Sequence, residues 1–216
     1  MAVHNGESPP EDQRRAARKH NAILDAATTV FLDNGYLGTS MDEIAALARV
    51  SKQTVYKHFA DKERLFVEIV TNMVNEISDP VYHEVLGLAD SGDIEADLRD
   101  IACRLLNGVV QPRLLQLRRL VIGEASRFPD LGRTFYERGP GRTIAALAIA
   151  FERLDARGVL RLDDPELAAA HFNWLIMSAP LNEAMLLGGN QPPAPADLKL
   201  HTDSGVRVFL ATYRNN

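Results

Sequence analysis

Residues 51–62, SKQTVYKHFADK, form the stretch whose side chains are best suited to chemistry with a partner. Val55 and Phe59 lie four residues apart, as they would on the buried face of a helix. The other positions carry hydrogen-bonding or cationic groups: Lys52, Gln53, Thr54, Tyr56, Lys57 and His58. Because an α-helix fits the major groove of B-DNA, this pattern indicates a helix that reads DNA. The alternative is a solvated face on an ordinary helical unit.

The residues just before this helix predict the elements that position it. Ser40 followed by Glu43 indicates the start of one short helix, and Ser51 can cap the next. Ala45 is small enough to let the two helices cross closely, while Ile44 packs inside the crossing. Two short helices joined by a tight turn predict a helix-turn-helix.

Position along the second helix predicts the role of each side chain. The first residues of such a helix reach base edges, and here they are Lys52, Gln53 and Thr54. Side chains further along reach phosphates, and we assign Tyr56, His58 and Lys62 to this group. The hydroxyls and free N–H groups at the start of the preceding helix can also hold a phosphate, which adds Thr39 and Ser40.

The stretch GYLGTSMDEIAALARVSKQTVYKHFADKERLF resembles the DNA-binding domain of the TetR family of bacterial transcriptional regulators. The resemblance covers about residues 15–70. It is carried by Gly35-Tyr36, Thr39-Ser40, Ile44-Ala45, Ala48 to Ser51, Thr54-Val55-Tyr56, His58-Phe59 and Lys62-Glu63-Leu65. Arg49 stands where the family usually has glycine. At positive φ a non-glycine residue costs on the order of 1 kcal/mol, so we expect a slightly altered turn.

The rest of the chain shows helical periodicity and no strand-like alternation, which predicts an all-α fold. We expect an N-terminal three-helix helix-turn-helix DNA-binding domain followed by an α-helical ligand-binding and dimerisation domain. The boundaries follow from composition and motifs: a disordered arm at 1–14, the DNA-binding domain at 15–62 and the helical domain at 63–216. The run LRRLVIGEASRFPDLGRTFYERGPGR resembles the AefR-like branch of the same family.

A homodimer on a palindromic operator is expected, because one helix-turn-helix makes too few contacts for tight specific binding. The segment from Pro165 to Leu187 and the last helix, around Val206 to Tyr213, are the most apolar helical surfaces. The resemblance implies that they form a four-helix interface between two subunits. Simple core packing is the alternative for both.

The middle helices, from Asp93 to Arg157, are expected to enclose a pocket for a hydrophobic or amphipathic effector. Candidate lining residues are aromatic or polar groups at apolar positions: Asn107, Phe128, His171, Asn173, Trp174 and Met177. Core packing is the alternative for each of them. The charged residues Arg118, Arg119 and Glu124 belong either to the pocket or to the surface.

Composition narrows the remaining classes of function. Residues 13–62 carry 8 Lys/Arg and 5 Asp/Glu, although the whole chain has a net charge of −5, so the candidate DNA-binding part is locally cationic. The chain has no signal-peptide pattern and no long apolar run, and its single cysteine fits a cytoplasmic protein. The six histidines show no metal-binding spacing and no phosphate-binding loop occurs, so we expect neither an enzyme nor a cofactor nor a metal site. A repressor released by its effector is the expected function; an activator has the same sequence features, and a partner-binding helical protein is the other alternative.

Overall fold

The computed structural model describes residues 11–187 and 193–215, which form ten α-helices and one 3₁₀ turn, Leu88–Asp90. Within these residues the extended pairing is limited to an isolated bridge between Leu160 and Arg214. The predicted all-α fold is confirmed. The helices are α1 Glu11–Gly38, α2 Met41–Leu47, α3 Lys52–His58, α4 Lys62–Gly87, α5 Ile94–Val109, α6 Pro112–Glu124, α7 Pro129–Arg138, α8 Pro140–Ala156, α9 Pro165–Leu186 and α10 Pro195–Tyr213.

The chain divides into two compact units, and the division falls between Ile69 and Val70 inside α4. The predicted domain boundary lay earlier, at Lys62. A disordered arm was predicted at 1–14. Its residues 1–10 lie outside the described residues, and its residues 11–14 form the first turn of α1. No helix in the described ranges is long and apolar enough to cross a membrane.

The N-terminal unit is built around aromatic rings contributed by α1 and the start of α4. The rings of Phe31 and Phe66 stack with centroids 4.7 Å apart, and Tyr36 lies 5.2 Å from Phe66. Such pairs contribute about 0.5–1.5 kcal/mol beyond their burial. Tyr36 follows Gly35, whose φ of 71° interrupts helical geometry within α1. The core therefore fixes where α1 ends and α2 begins.

The C-terminal unit packs α9 against α8 and α10, with α5 lying against α10. Phe151, Phe172 and Phe209 meet at its centre, with centroid separations of 5.1–5.9 Å. Gly205 lets α10 approach α9, because a Cβ there would lie 2.7 Å from Ile176 Cδ1. This close packing holds α9 in a fixed position within the unit.

Prolines lie inside or at the start of several helices. Pro80 lies inside α4, which continues to Gly87. Val81 and Val85 follow it and are 3% and 0% exposed. Their burial, about 1.5–3 kcal/mol each, offsets the roughly 3 kcal/mol cost of an internal proline. Similarly, helices start at Pro140 and at Pro195, because the first helical position needs no N–H donor.

Candidate nucleic-acid interface and effector cavity

Serine hydroxyls start both helices of the helix-turn-helix. Ser40 Oγ accepts a hydrogen bond from Glu43 N at 3.1 Å, and Ser51 Oγ accepts one from Thr54 N at 3.1 Å. The Glu43 carboxylate accepts from Asn34 Nδ2 at 2.9 Å, so it ties α2 to the end of α1. These bonds satisfy N–H groups that a helix leaves open at its start, and they define where α2 and α3 begin.

Arg49 has the positive φ that its place in the turn predicted. Its φ is 55°, and it is the one non-glycine residue of the described chain in the left-handed region. Val50 N donates to Ala45 O at 3.0 Å and Arg49 N to Ala46 O at 3.2 Å, which closes the end of α2. The turn therefore keeps its hydrogen bonds in spite of the missing glycine.

The inner face of α3 is anchored by the two residues whose spacing predicted it. Val55 is 0% exposed and Phe59 is 3% exposed. His20 of α1 stacks on the Phe59 ring at 4.9 Å and bonds the Glu68 carboxylate of α4 at 2.7 Å. The anchoring leaves the opposite face of α3 open.

That open face consists of Lys52, Gln53, Tyr56 and Lys57, all of which are exposed. Tyr56 is 45% exposed, although its ring is large and partly apolar. Lys52 Nζ lies 2.7 Å from the carboxylate of Asp42, and this hydrogen bond together with the carboxylate charge raises the pKa of Lys52. Helical spacing does not predict this pairing, because Asp42 and Lys52 belong to different helices.

Thr54, Ser40 and His58 are only partly available. Thr54 is half-buried and its hydroxyl lies 2.8 Å from Ser51 Oγ, while the exposed Ser40 hydroxyl caps α2. Burial lowers the pKa of His58, and the nearby His20, Lys57 and Lys19 lower it further. His58 is therefore a neutral hydrogen-bonding group at pH 7 rather than a cation.

Thr39 and Lys62, which were expected to contact phosphate, are both engaged inside the N-terminal unit. Thr39 is 4% exposed, and its hydroxyl donates to Gly35 O at 2.7 Å. Lys62 Nζ donates to Tyr36 O at 2.8 Å and Thr39 O at 3.0 Å, and it lies 4.6 Å from the Tyr36 ring centre. The two residues therefore hold the segment between α1 and α2, and we leave them out of the proposed DNA contacts.

Three exposed arginines near the start of α1 are further candidates for phosphate contacts. They are Arg14, Arg15 and Arg18. The sequence analysis placed the first of them in a disordered arm and assigned no role to the others. The signal that could have found them is the cationic run RRAARK, read as one exposed helical face.

A cavity lies inside the C-terminal unit, between α4, α5, α6, α7, α8 and α9. Asn173, Trp174 and Met177 of α9 line it, as the sequence analysis proposed. The rest of its wall is mainly apolar.

The other three pocket candidates lie elsewhere. The Asn107 amide donates to Cys103 O at 2.7 Å along its own helix. Phe128 is half-buried immediately before α7, against the Arg127 guanidinium, and His171 is exposed and bonds Tyr213 O–H at 2.6 Å. None of them is among the residues that line the cavity. Helical spacing shows which residues share a face, but the packing of neighbouring helices decides which face points inwards.

Adjacent arginines on α6 have different surroundings. Arg119 donates to Ala184 O at 2.5 Å and to Met185 O at 3.3 Å, near the carboxyl end of α9. Arg118 lines the cavity, and its guanidinium lies 5.0 Å from the Phe135 ring centre. Burial lowers the pKa of Arg118, and its Nε is buried without a hydrogen-bond partner.

A helix-turn-helix unit followed by an all-helical unit is an arrangement typical of DNA-binding regulators. The chain matches the family model "Bacterial regulatory proteins, tetR family" over residues 23–69. It matches "AefR-like transcriptional repressor, C-terminal domain" over residues 96–215. The chain belongs to the TetR family of transcriptional regulators, which bind DNA and are not enzymes.

Solved structures and a curated relative agree with this assignment. A TetR-family regulator from Mesorhizobium loti is 43% identical, with a TM-score of 0.85 over 93% of this chain and 98% of its own. The flavonoid-responsive regulator FrrA is 32% identical, with a TM-score of 0.75 over 92% and 98%. The uncharacterized regulator YhgD of Bacillus subtilis is 49% identical over 26% of this chain, which is only 29% of YhgD.

Proposed function

We propose that the protein is a sequence-specific DNA-binding repressor, released from its operator by a small hydrophobic or amphipathic effector. The observation that carries the proposal is the open face of α3, where Lys52, Gln53 and Tyr56 are exposed while Val55 is fully buried behind them. The match to an AefR-like repressor domain supports the repressor sign, and the flavonoid-responsive name of FrrA supports a small effector. DNA binding also supports a cytoplasmic location.

A homodimer is part of the proposal. Large apolar side chains are exposed on α9 and α10: Leu167, Trp174, Leu200 and Val208 are each at least 47% exposed. Exposed apolar groups on two packed helices favour burial against the same surface of a second copy. Two copies of α3 about 34–36 Å apart would then read a palindromic operator.

Helix α4 is the proposed link between effector and DNA. Its first turns supply Leu65 and Phe66 to the core of the N-terminal unit, and its later residues Val74, Ile77 and Ser78 line the cavity. An effector that favours one position of α4 changes the population of DNA-binding conformers. By linkage, operator DNA must weaken effector binding by the same factor.

Selection of bound sequences from a random DNA pool tests DNA reading and symmetry together. A palindromic consensus is expected. Gln53→Ala should then cost about 1–3 kcal/mol at one base position in each half-site, whereas the exposed Gln116→Ala on α6 should leave binding unchanged. No enrichment over non-specific DNA would contradict the proposal and favour a partner-binding helical protein. A uniform loss for Gln53→Ala would instead make Gln53 a backbone contact.

A promoter assay with purified polymerase and the selected operator tests whether the protein represses or activates transcription. The protein alone should lower transcription, and an effector found by thermal shift should restore it. The control is the same promoter with a scrambled operator. Transcription that rises on adding the protein would make it an activator, with DNA binding unaffected.

A further inference from the structure

We propose that the cavity of the C-terminal unit selects organic anions: amphipathic molecules with one carboxylate or similar acidic group, which Arg118 and Asn173 bind. The inference rests on the proposed effector role of the cavity and names the chemical class of the effector.

Arg118 is a cation without a counter-ion. It forms no hydrogen bond or ion pair with any residue of the described ranges, and its Nε is buried and unpartnered. The Phe135 ring, 5.0 Å away, holds the guanidinium in place but does not neutralise it. An arginine does not lose its proton in proteins, so it stays charged at the cavity wall. Buried charges are normally paired, and this one has its hydrogen-bond donors available.

Asn173 is the second unsatisfied polar group of the same wall. It is 3% exposed, and its side-chain amide has no hydrogen-bond partner among the described residues. A buried amide almost always has a partner, so one facing a cavity indicates a ligand or water that supplies it. The amide N–H₂ can donate to a carboxylate oxygen while Arg118 donates to the same group.

The rest of the cavity wall disfavours a cationic ligand. Arg118 is the one charged side chain among the described lining residues, and no carboxylate lies there to receive a cation. Thr143 and Ser78 already donate their hydroxyl hydrogens to Gly139 O and Arg138 O. The apolar part of the ligand is expected to lie against side chains such as Leu105 and Met177. Charge at one point and apolar surface elsewhere match an amphipathic acid.

Matched probes that differ only in charge test the proposal. The chain has one tryptophan, Trp174, which lines the cavity and is also part of the proposed dimer surface, so its fluorescence reports occupancy when the protein concentration, and with it the dimer fraction, is held constant. We would titrate the full-length protein with decanoate, 1-decanol and decylammonium below their aggregation limits, and with 4-phenylbutyrate and 4-phenylbutan-1-ol. Each acid should bind at least about tenfold more tightly than its alcohol, and decylammonium should bind more weakly than decanol.

Variants locate the charge preference. Arg118→Gln should reduce the acid-to-alcohol ratio to near one, while Arg118→Lys should retain part of it because the charge is kept. The exposed Arg113→Gln on the same helix is the matched control and should keep the full ratio. Asn173→Leu should weaken the acids more than the alcohols. Thermal unfolding of every variant shows whether the fold is retained.

Operator binding by the same samples separates this inference from the proposed function. Equal binding of acids and alcohols would overturn the anion selectivity and leave a general apolar effector site. Absence of any binding by the five probes, with operator binding intact, would overturn the inference and leave the DNA-binding function. A preference that survives in Arg118→Gln would also contradict it, because the anion would then bind elsewhere.

Discussion

The open face of α3 and the cavity of the C-terminal unit hold their cations in opposite ways. Lys52 is exposed and is already paired with Asp42 at 2.7 Å, whereas Arg118 is partly buried and has no counter-ion in the described chain. Water can solvate Lys52 when it exchanges Asp42 for DNA, so the exchange costs little. Arg118 Nε is buried without a partner, so a ligand can supply the counter-charge that the cavity wall lacks. Exposure therefore suits reversible DNA contacts, and burial suits chemical selection of an effector.

Lys62→Ala should have the largest effect on the free energy of unfolding, because it removes a lysine that is bonded within the fold rather than one at the surface. Because Lys62 donates two hydrogen bonds to backbone carbonyls, its loss should lower the free energy of unfolding by about 1.5–3 kcal/mol. Lys57→Ala, at an exposed position, should change stability by less than about 0.5 kcal/mol. Denaturant unfolding measures both. A stable Lys62→Ala protein whose DNA affinity shows a salt slope reduced by about 1 would return Lys62 to the phosphate contacts.

Arg118→Met examines the opposite case, in which removing a charge does not harm the fold. A flexible apolar side chain fills much of the same volume without the desolvation of the guanidinium. Stability should stay equal or rise by as much as about 1 kcal/mol, and Arg113→Met should leave it unchanged. A clear loss of stability would show that the Phe135 contact outweighs the desolvation.

The two regions also differ in how much of their structure could be predicted from the sequence. Caps and four-residue spacing are local, so Ser51, Val55 and Phe59 predicted the position and the buried face of α3. The hydrogen bonds of Lys62 could not be predicted, because their acceptors, the carbonyls of Tyr36 and Thr39, lie more than twenty residues away in sequence. A basic side chain beside a DNA-binding helix has the same sequence pattern whether it binds phosphate or backbone.

Tertiary packing limited the prediction of the cavity. The sequence could group three of the lining residues because they lie close together on one helix: Asn173, Trp174 and Met177. They remain neighbours whichever way that helix packs. Asn107 and His171 do not line this cavity, and their side chains bond Cys103 O and Tyr213 O–H instead. Which of the adjacent Arg118 and Arg119 enters the cavity depends on the rotation of α6, and the sequence does not encode that in a local pattern.

Arg49→Gly should remove a small strain from the turn of the DNA-binding unit. At φ 55° an arginine side chain crowds its own backbone, and glycine does not, although glycine also gains freedom in the unfolded chain. A net gain of about 0.5 kcal/mol in unfolding free energy is expected. The exposed Arg64→Gly, within α4, is the control and should lose about 1 kcal/mol. A destabilised Arg49→Gly would mean that the Arg49 side chain makes a stabilising contact.

Asp42→Asn should sharpen the contrast between paired and unpaired cations. It releases Lys52 from its carboxylate partner, so DNA affinity should rise for all sequences by less than about 1 kcal/mol, with a steeper salt dependence. Asp33→Asn removes the same charge from an exposed position of α1 and controls for net charge. Equal effects of the two variants would show that the pairing itself has no influence on DNA binding.

His58 gives the smallest expected effect, and its sign follows from its surroundings. Burial, with the nearby His20, Lys57 and Lys19, holds the pKa of His58 below its usual 6.5, so the folded protein favours the neutral ring. The folded state therefore binds fewer protons than the unfolded chain as pH falls below 6.5. The stability from the neutral ring is fully present above that pH and is lost as pH falls through the folded pKa. Unfolding of the wild type and His58→Gln between pH 7.5 and 5 measures it, and the wild type should lose more stability on acidification. Parallel curves would contradict a lowered pKa. Operator DNA should reverse the sign, because a phosphate beside the ring favours its protonated form and binding would then take up a proton.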